Sequence, residues 1–259
     1  MALEKTKVFL AVTALDGPKA QGTGLPWVCL CYRIGETGSL QRAQLQLPAR
    51  GGLMGLYEAP GLGLCQPEKL ARDIQTECTR RGFGGVVVDF SPSVEQLSRL
   101  ESLCTALQRL QVRVYLPREL AHLGGREAMV VVPAAVSGGL FSELVEALCQ
   151  QYGPQRLCLD LVRCCRDFPM PTYEPDGRSM TVRELTELQQ KTGAQSFFSR
   201  ELCCKYFTYR QEDGSMHFVL FDDVDTAHAK LEWIRRAGVS QVFLLYSEWG
   251  KEARELAES

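Results

Sequence analysis

The sequence predicts an α/β fold of parallel β/α units, and three observations carry it. From Gly51 onward, short β-branched runs alternate with amphipathic helical runs, the rhythm of strands joined by crossover helices. The run Val86-Val87-Val88, entered through Gly82, Gly84 and Gly85 and closed by Asp89, reads as a buried parallel strand that delivers a carboxylate to its C-terminal end. The length of 259 residues suits one domain, residues 1–259, of the size typical of a (β/α)8 barrel or a close variant, in which active sites sit at the C-terminal rim.

The elements follow in order. Strands are expected over 8–14, 27–34 and 40–47, with the turn Gly35-Glu36-Thr37-Gly38 before the third, a strand-rich start of meander or hairpin type. Strand 53–58 then leads into helix 67–81, strand 85–90 into helix 94–110, and strand 112–116 follows. Strand 129–136, helix 140–152, strand 156–162 and helix 181–192 continue the alternation. A hairpin insertion, 206–209 with 216–221 around Glu212-Asp213-Gly214, precedes the last long helix, 226–237, and the closing strand, 241–246.

Composition removes several function classes. A formal net charge of -2 and a pI near 6.0 supply no electrostatic footprint for nucleic acid or an anionic membrane. The longest apolar stretches, near residues 8–15 and 128–136, are of strand length and too short to span a bilayer. Eleven cysteines, an odd number, fall largely within apolar runs and read as reduced, buried thiols. No C-x-x-C occurs and the three histidines, His122, His217 and His228, are scattered, so neither metal nor cofactor is expected. The vicinal pairs Cys164-Cys165 and Cys203-Cys204 read as packing residues, because neighbours on a strand point to opposite faces. Leu15-Asp16-Gly17-Pro18 closes the first apolar run with turn chemistry, so that run is read as a strand and not as an export signal, and the cytoplasm is the expected location. Walker, nucleophile-elbow and H-E-x-x-H patterns are missing, and Gly61-Leu62-Gly63 lacks the third glycine of a dinucleotide loop and reads as a turn.

Two segments bear on function. Phe83-Gly84-Gly85-Val86-Val87-Val88-Asp89-Phe90-Ser91 resembles the signature strand of glycoside hydrolase family 18, the chitinase-like enzymes, an aromatic followed by D-G-x-D-x-D-x-E. Phe83, Gly85 and Asp89 match it, whereas Gly84, Val87 and Ser91 replace the first Asp, the second Asp and the glutamic acid. Phe221-Asp222-Asp223-Val224-Asp225-Thr226, with Lys230 beyond it, is similar to the segment before the last barrel helix in the same family, and the order of elements around it is similar to the spore-germination branch, which is associated with cortex peptidoglycan.

The resemblance implies a (β/α)8 barrel and a site for N-acetylated glycans. In that family the strand-end glutamic acid protonates the glycosidic oxygen, the substrate's own acetamido group attacks the anomeric carbon, and the preceding Asp orients that amide; this is an exception to the usual pair of carboxylates. Here Asp89 could hold an acetamido group, but Ser91 stands where the acid belongs and a hydroxyl cannot replace it. The M-x-Y-like pair of the family's sixth strand has no tyrosine in Met129-Val130-Val131-Val132-Pro133. A catalytically degenerate protein that binds a glycan or a protein partner is therefore expected.

The candidate ligand-binding residues are Tyr57, Glu58, Asp89, Tyr115, Asp222, Asp223, Tyr246, Glu248 and Trp249, the aromatics offering flat faces to sugar C–H surfaces. Glu58 is also the candidate for a relocated acid in an active glycosidase, on the expectation that it shares a cleft with Asp89. Asp222 and Asp223 carry a second reading as charges near the positive end of the following helix, which Thr226 or Asp225 is expected to cap. An interaction scaffold in a spore-forming bacterium is the third reading of the whole chain, since a fold alone does not choose a function.

Overall fold

The computed structural model describes residues 6–44, 51–135, 139–171 and 177–258. Eight strands form the barrel: β1 (Lys7–Thr13), β2 (Trp27–Ile34), β3 (Leu53–Glu58), β4 (Val86–Val88), β5 (Val114–Pro117), β6 (Met129–Pro133), β7 (Leu157–Asp160) and β8 (Gln241–Leu245). Each pairs in parallel with the next, and β8 pairs with β1, Phe9 opposite Phe243, to close the ring. The chain is a closed (β/α)8 barrel.

The start differs from a meander. β1 and β2 run parallel, with Leu10 opposite Trp27, because residues 14–26 make a crossover through two short helical turns, Gly17–Ala20 and Gln21–Thr23. Alternation of apolar residues reports a strand but not its direction. The antiparallel hairpin occurs one strand later, where Leu40–Arg42 folds back on β2. Residues 45–47 of the expected third strand, and residue 136 of the expected strand 129–136, lie outside the described residues.

The strands are apolar on both faces because the wall has two apolar neighbours. Outward residues such as Leu10, Met54, Val88 and Val130 pack beneath the helices, while the lumen holds a separate cluster with a contribution from every strand, including Phe9, Val87, Tyr115, Cys158 and Phe243. Each large side chain buried this way is worth about 1.5–3 kcal/mol. The helix Pro67–Arg81 shows how the outer layer is read from sequence. Proline sits in its first turn, Leu70, Ala71, Ile74 and Cys78 make the buried stripe, and Gly82 ends it in the left-handed region at φ 68°.

Between β7 and β8 the chain inserts more than the expected hairpin. Five antiparallel strands lie in the order Arg178–Ser179, Cys165–Met170, Met216–Phe221, Cys204–Arg210, Phe197–Ser199, and the expected hairpin supplies two of them. Helix Val182–Thr192 starts on a Thr181/Glu184 capping box within this insertion. Helix Val224–Arg236 starts two residues earlier than expected, because Asp223 and Thr226 form its capping box. No helix among the described residues is long and apolar enough to cross a membrane. All eleven cysteines are free, nine of them buried and two half-buried.

Candidate functional site

Side chains alternate along a strand, so the lumen cluster fixes what reaches the C-terminal mouth. Val87 of β4 points into the lumen, and Asp89, two residues on, continues that face. The Asp89 N–H donates to Leu56 O at 2.8 Å, pinning the end of β4 to β3. Its carboxylate is accessible to water yet surrounded by the concave mouth, and this burial pushes it above the usual carboxylate range.

Across the barrel the same reasoning brings in Asp160, which the sequence reading did not single out. Cys158 of β7 is in the lumen, and Asp160 follows it on the same face. Burial, the Glu248 charge and the Asp89 charge, in that order, raise the Asp160 carboxyl to about 7. Like charges that must share a poorly solvated mouth cannot all be ionised cheaply. The third member, Glu248, lies in the short helix Tyr246–Trp249 directly after β8. Burial raises its carboxyl and Asp222 adds to the rise, while Arg163 opposes it.

Arg163 locks this rim. Its backbone N–H donates to Glu248 Oε2 at 2.9 Å, and its guanidinium donates to Glu248 O at 3.0 Å, Glu252 Oε2 at 2.7 Å and Asp222 O at 3.3 Å. It also lies 4.9 Å from the centre of the Trp249 ring. The start of the insertion is thereby tied to the segment that follows β8. Asp89, Asp160 and Glu248 form a mouth rich in hydrogen-bond acceptors, suited to hydroxyl and amide N–H groups.

The other expected residues are placed as follows. Tyr57 shares the inner parity of Leu53 and is 39% exposed, so it is an aromatic available at the mouth. Glu58 is exposed and pairs with Arg33 at 3.0 Å, just past a register shift between β2 and β3. Tyr115 is buried in the lumen at the start of β5, facing Arg113 and Gln241 toward the opposite end of the barrel. Tyr246 and Trp249 are buried in the outer layer, where Trp249 Nε1 donates to Leu161 O at 2.8 Å. Ser91 is exposed just beyond β4.

Asp222 and Asp223 take the helix-start role. Asp222 is buried, accepting from Lys230 Nζ, from Thr226 Oγ1 at 2.8 Å and from the Cys164 N–H at 2.9 Å. Asp223 caps the helix through the Thr226 N–H at 3.1 Å and pairs with Lys205. Among the described residues no group of three or more His, Cys, Asp or Glu side chains is arranged to hold a metal ion.

No protein-family model and no curated protein sequence matches the chain. Solved structures do. The spore cortex-lytic enzyme SleL of Bacillus megaterium is similar over 100% of this chain and 75% of its own, with 15% identity and a TM-score of 0.68. A chitinase of Chromobacterium violaceum is similar over 98% of this chain and 99% of its own, at 12% identity and a TM-score of 0.67. A family GH18 chitinase of Cycas revoluta is similar over 97% of this chain and 98% of its own, at 11% identity and a TM-score of 0.66. The chain therefore carries the (β/α)8-barrel fold of the family 18 chitinases and of the spore cortex-lytic enzymes.

Proposed function

We propose that the carboxylate mouth binds an N-acetylated glycan, of chitin or peptidoglycan type, without cleaving it. One observation carries this reading: Asp89 remains at the inner face of the mouth while the residue two positions on, where the resemblance puts the proton donor, is Ser91. An ionised Asp89 can accept from an acetamido N–H, and Tyr57 offers a ring face beside it. A serine hydroxyl cannot protonate a glycosidic oxygen near neutral pH, and losing a general acid costs roughly 10² to 10⁴ in rate.

A second reading has a specific observation behind it. Asp160, raised to about 7, has the proton affinity of a general acid at neutral pH and lies at the same mouth. In that reading the relocated acid is Asp160, since the Glu58 carboxylate is paired with Arg33 at 3.0 Å.

Calorimetry with chitotetraose and with a peptidoglycan-derived disaccharide, run beside a product assay on the same ligands, tests both. Binding with no product supports the glycan-binding reading. Turnover that disappears in Asp160→Asn and persists in Glu58→Gln replaces it with the relocated-acid enzyme. Neither binding nor turnover would leave the barrel as a scaffold for a protein partner.

A further inference from the structure

The N-terminal end of the barrel, opposite the carboxylate mouth, encloses a cavity of about 670 Å³. Its wall is the run of strand beginnings, and four of these carry cations: Lys7 before β1's apolar run, Arg113 before β5, Arg126 before β6 and Arg156 before β7. Glu127 is the single carboxylate in that lining among the described residues. Among the described residues none of the four cations has a carboxylate within ion-pair distance, although the chain as a whole has an excess of acidic residues. Arg156 is instead fixed by donating to Ala128 O at 3.1 Å and Gly125 O at 3.0 Å.

An independent feature points into the same space. Gln241, at the start of β8, is only 8% exposed, lines the cavity and has an amide oxygen with no hydrogen-bond partner. A buried acceptor left unmade costs about 1–3 kcal/mol, which a donor from outside would recover. The Tyr115 hydroxyl lies beside it, facing Gln241 and Arg113. Gly85 permits that arrangement, since a Cβ there would come within 2.6 Å of Arg113 O and 2.9 Å of the Tyr115 ring.

We propose that this cavity binds a small phosphate monoester bearing a hydroxyl group. Lys7, Arg113, Arg126 and Arg156 surround the dianion, and a ligand hydroxyl donates to Gln241 Oε1. A phosphate dianion suits several cations better than a carboxylate does, because it carries more charge and three acceptor oxygens. The volume is within the range of small-molecule sites, leaving room for a few carbons beyond the phosphate. This site is independent of the glycan reading, being at the other end of the barrel.

Titration calorimetry of the full chain with glycerol phosphate, propyl phosphate, inorganic phosphate and glycerol tests it. Glycerol phosphate binds saturably, more weakly as salt rises, and more tightly than propyl phosphate, which has the anion without the hydroxyls; glycerol alone gives no heat of binding. Arg126→Ala, an exposed change that breaks no hydrogen bond among the described residues, weakens glycerol phosphate by about tenfold or more, and Gln241→Leu removes the preference over propyl phosphate. Asp89→Ala, at the opposite mouth, leaves both unchanged. The proposal is overturned if neither ester binds, if Arg126→Glu binds glycerol phosphate as the parent does, or if inorganic phosphate or propyl phosphate binds as tightly as glycerol phosphate. Thermal unfolding of each variant separates loss of binding from loss of fold.

Discussion

The carboxylate of Asp222 and the ammonium of Lys230 meet at 2.7 Å with each side chain 1% exposed. A buried pair survives only when its remaining hydrogen-bonding capacity is used, and here Thr226 Oγ1, the Cys164 N–H and the Cys204 thiol complete the carboxylate's shell. Burial opposes the charge on Lys230, while Asp222 raises its proton affinity and wins. The pair joins the insertion to the helix that resumes the barrel. Lys230→Met alone, which leaves Asp222 charged and unpaired, is expected to lower unfolding free energy by about 3–5 kcal/mol, and Asp222→Leu combined with Lys230→Met to recover much of it. Urea denaturation of the single and double variants measures this; equal losses in both would mean that the pair itself, and not an orphaned charge, sets the stability.

This pair marks where the sequence was legible and where it was not. The acidic residues and Thr226 before an amphipathic run read directly as a helix start, since capping is local chemistry, although the cap is Asp223 and not Thr226 or Asp225. The parallel β/α units were legible for a similar reason, because the strand–helix rhythm and the run Val86-Val87-Val88 need no long-range information, whereas closure into a barrel was implied by the family resemblance. The mouth was harder. Its composition depends on which parity of each strand faces the lumen, and in a wall buried on both sides Leu53-Met54-Gly55-Leu56 gives no polar alternation to decide. Asp160 therefore looked like the end of an ordinary strand. Only closure of the ring, which sets Cys158 and Val87 in one cluster, brings Asp160 toward Asp89.

Gly61-Leu62-Gly63 illustrates a local motif whose meaning lies in its neighbours. A Cβ on Gly61 would fall 1.9 Å from Gly35 O, a backbone atom of the β2 hairpin turn, whereas a Cβ on Gly63 meets nothing within 4 Å. Gly61→Ala is expected to cost about 3 kcal/mol through displacement of that turn. Gly63→Ala should be neutral or slightly stabilising. Matching thermal midpoints for the two variants would show that the turn yields freely and that the close approach carries no stability.

Asp160 makes a pH prediction with a definite sign. Its folded-state affinity for the proton, about 7 against an ordinary 3.8, means that the folded chain binds more protons than the unfolded chain across that window. Stability from this group is thus full at acid pH and is lost as pH rises toward 7. Asn carries no such proton. The advantage of Asp160→Asn over the parent should be near zero at pH 4 and grow as pH rises; up to about 1.4 kcal/mol per pH unit is available, and the side chain's partial contact with water reduces the total to about 2 kcal/mol at pH 8. Urea unfolding of both proteins at pH 4, 6 and 8 checks the trend. A difference that stays flat with pH would mean that Asp160 titrates normally and that the three carboxylates do not repel one another.

The glycan reading rests most directly on Asp89. Burial raises its carboxyl, so its charged form is disfavoured before any ligand arrives, and a ligand that donates an amide N–H to it should be bound better by the ionised form. Losing one charge-assisted hydrogen bond is worth about 1.5–3 kcal/mol, so Asp89→Ala is expected to weaken chitotetraose roughly ten- to a hundredfold. The same substitution removes a disfavoured charge from the mouth and should leave the thermal midpoint unchanged or higher. Affinity in the parent should also fall as pH is lowered through the range where the mouth carboxyls take up protons, and Asp89→Ala should flatten that dependence. A peripheral or merely structural Asp89 would give the opposite pattern: a lower thermal midpoint with affinity and its pH profile intact.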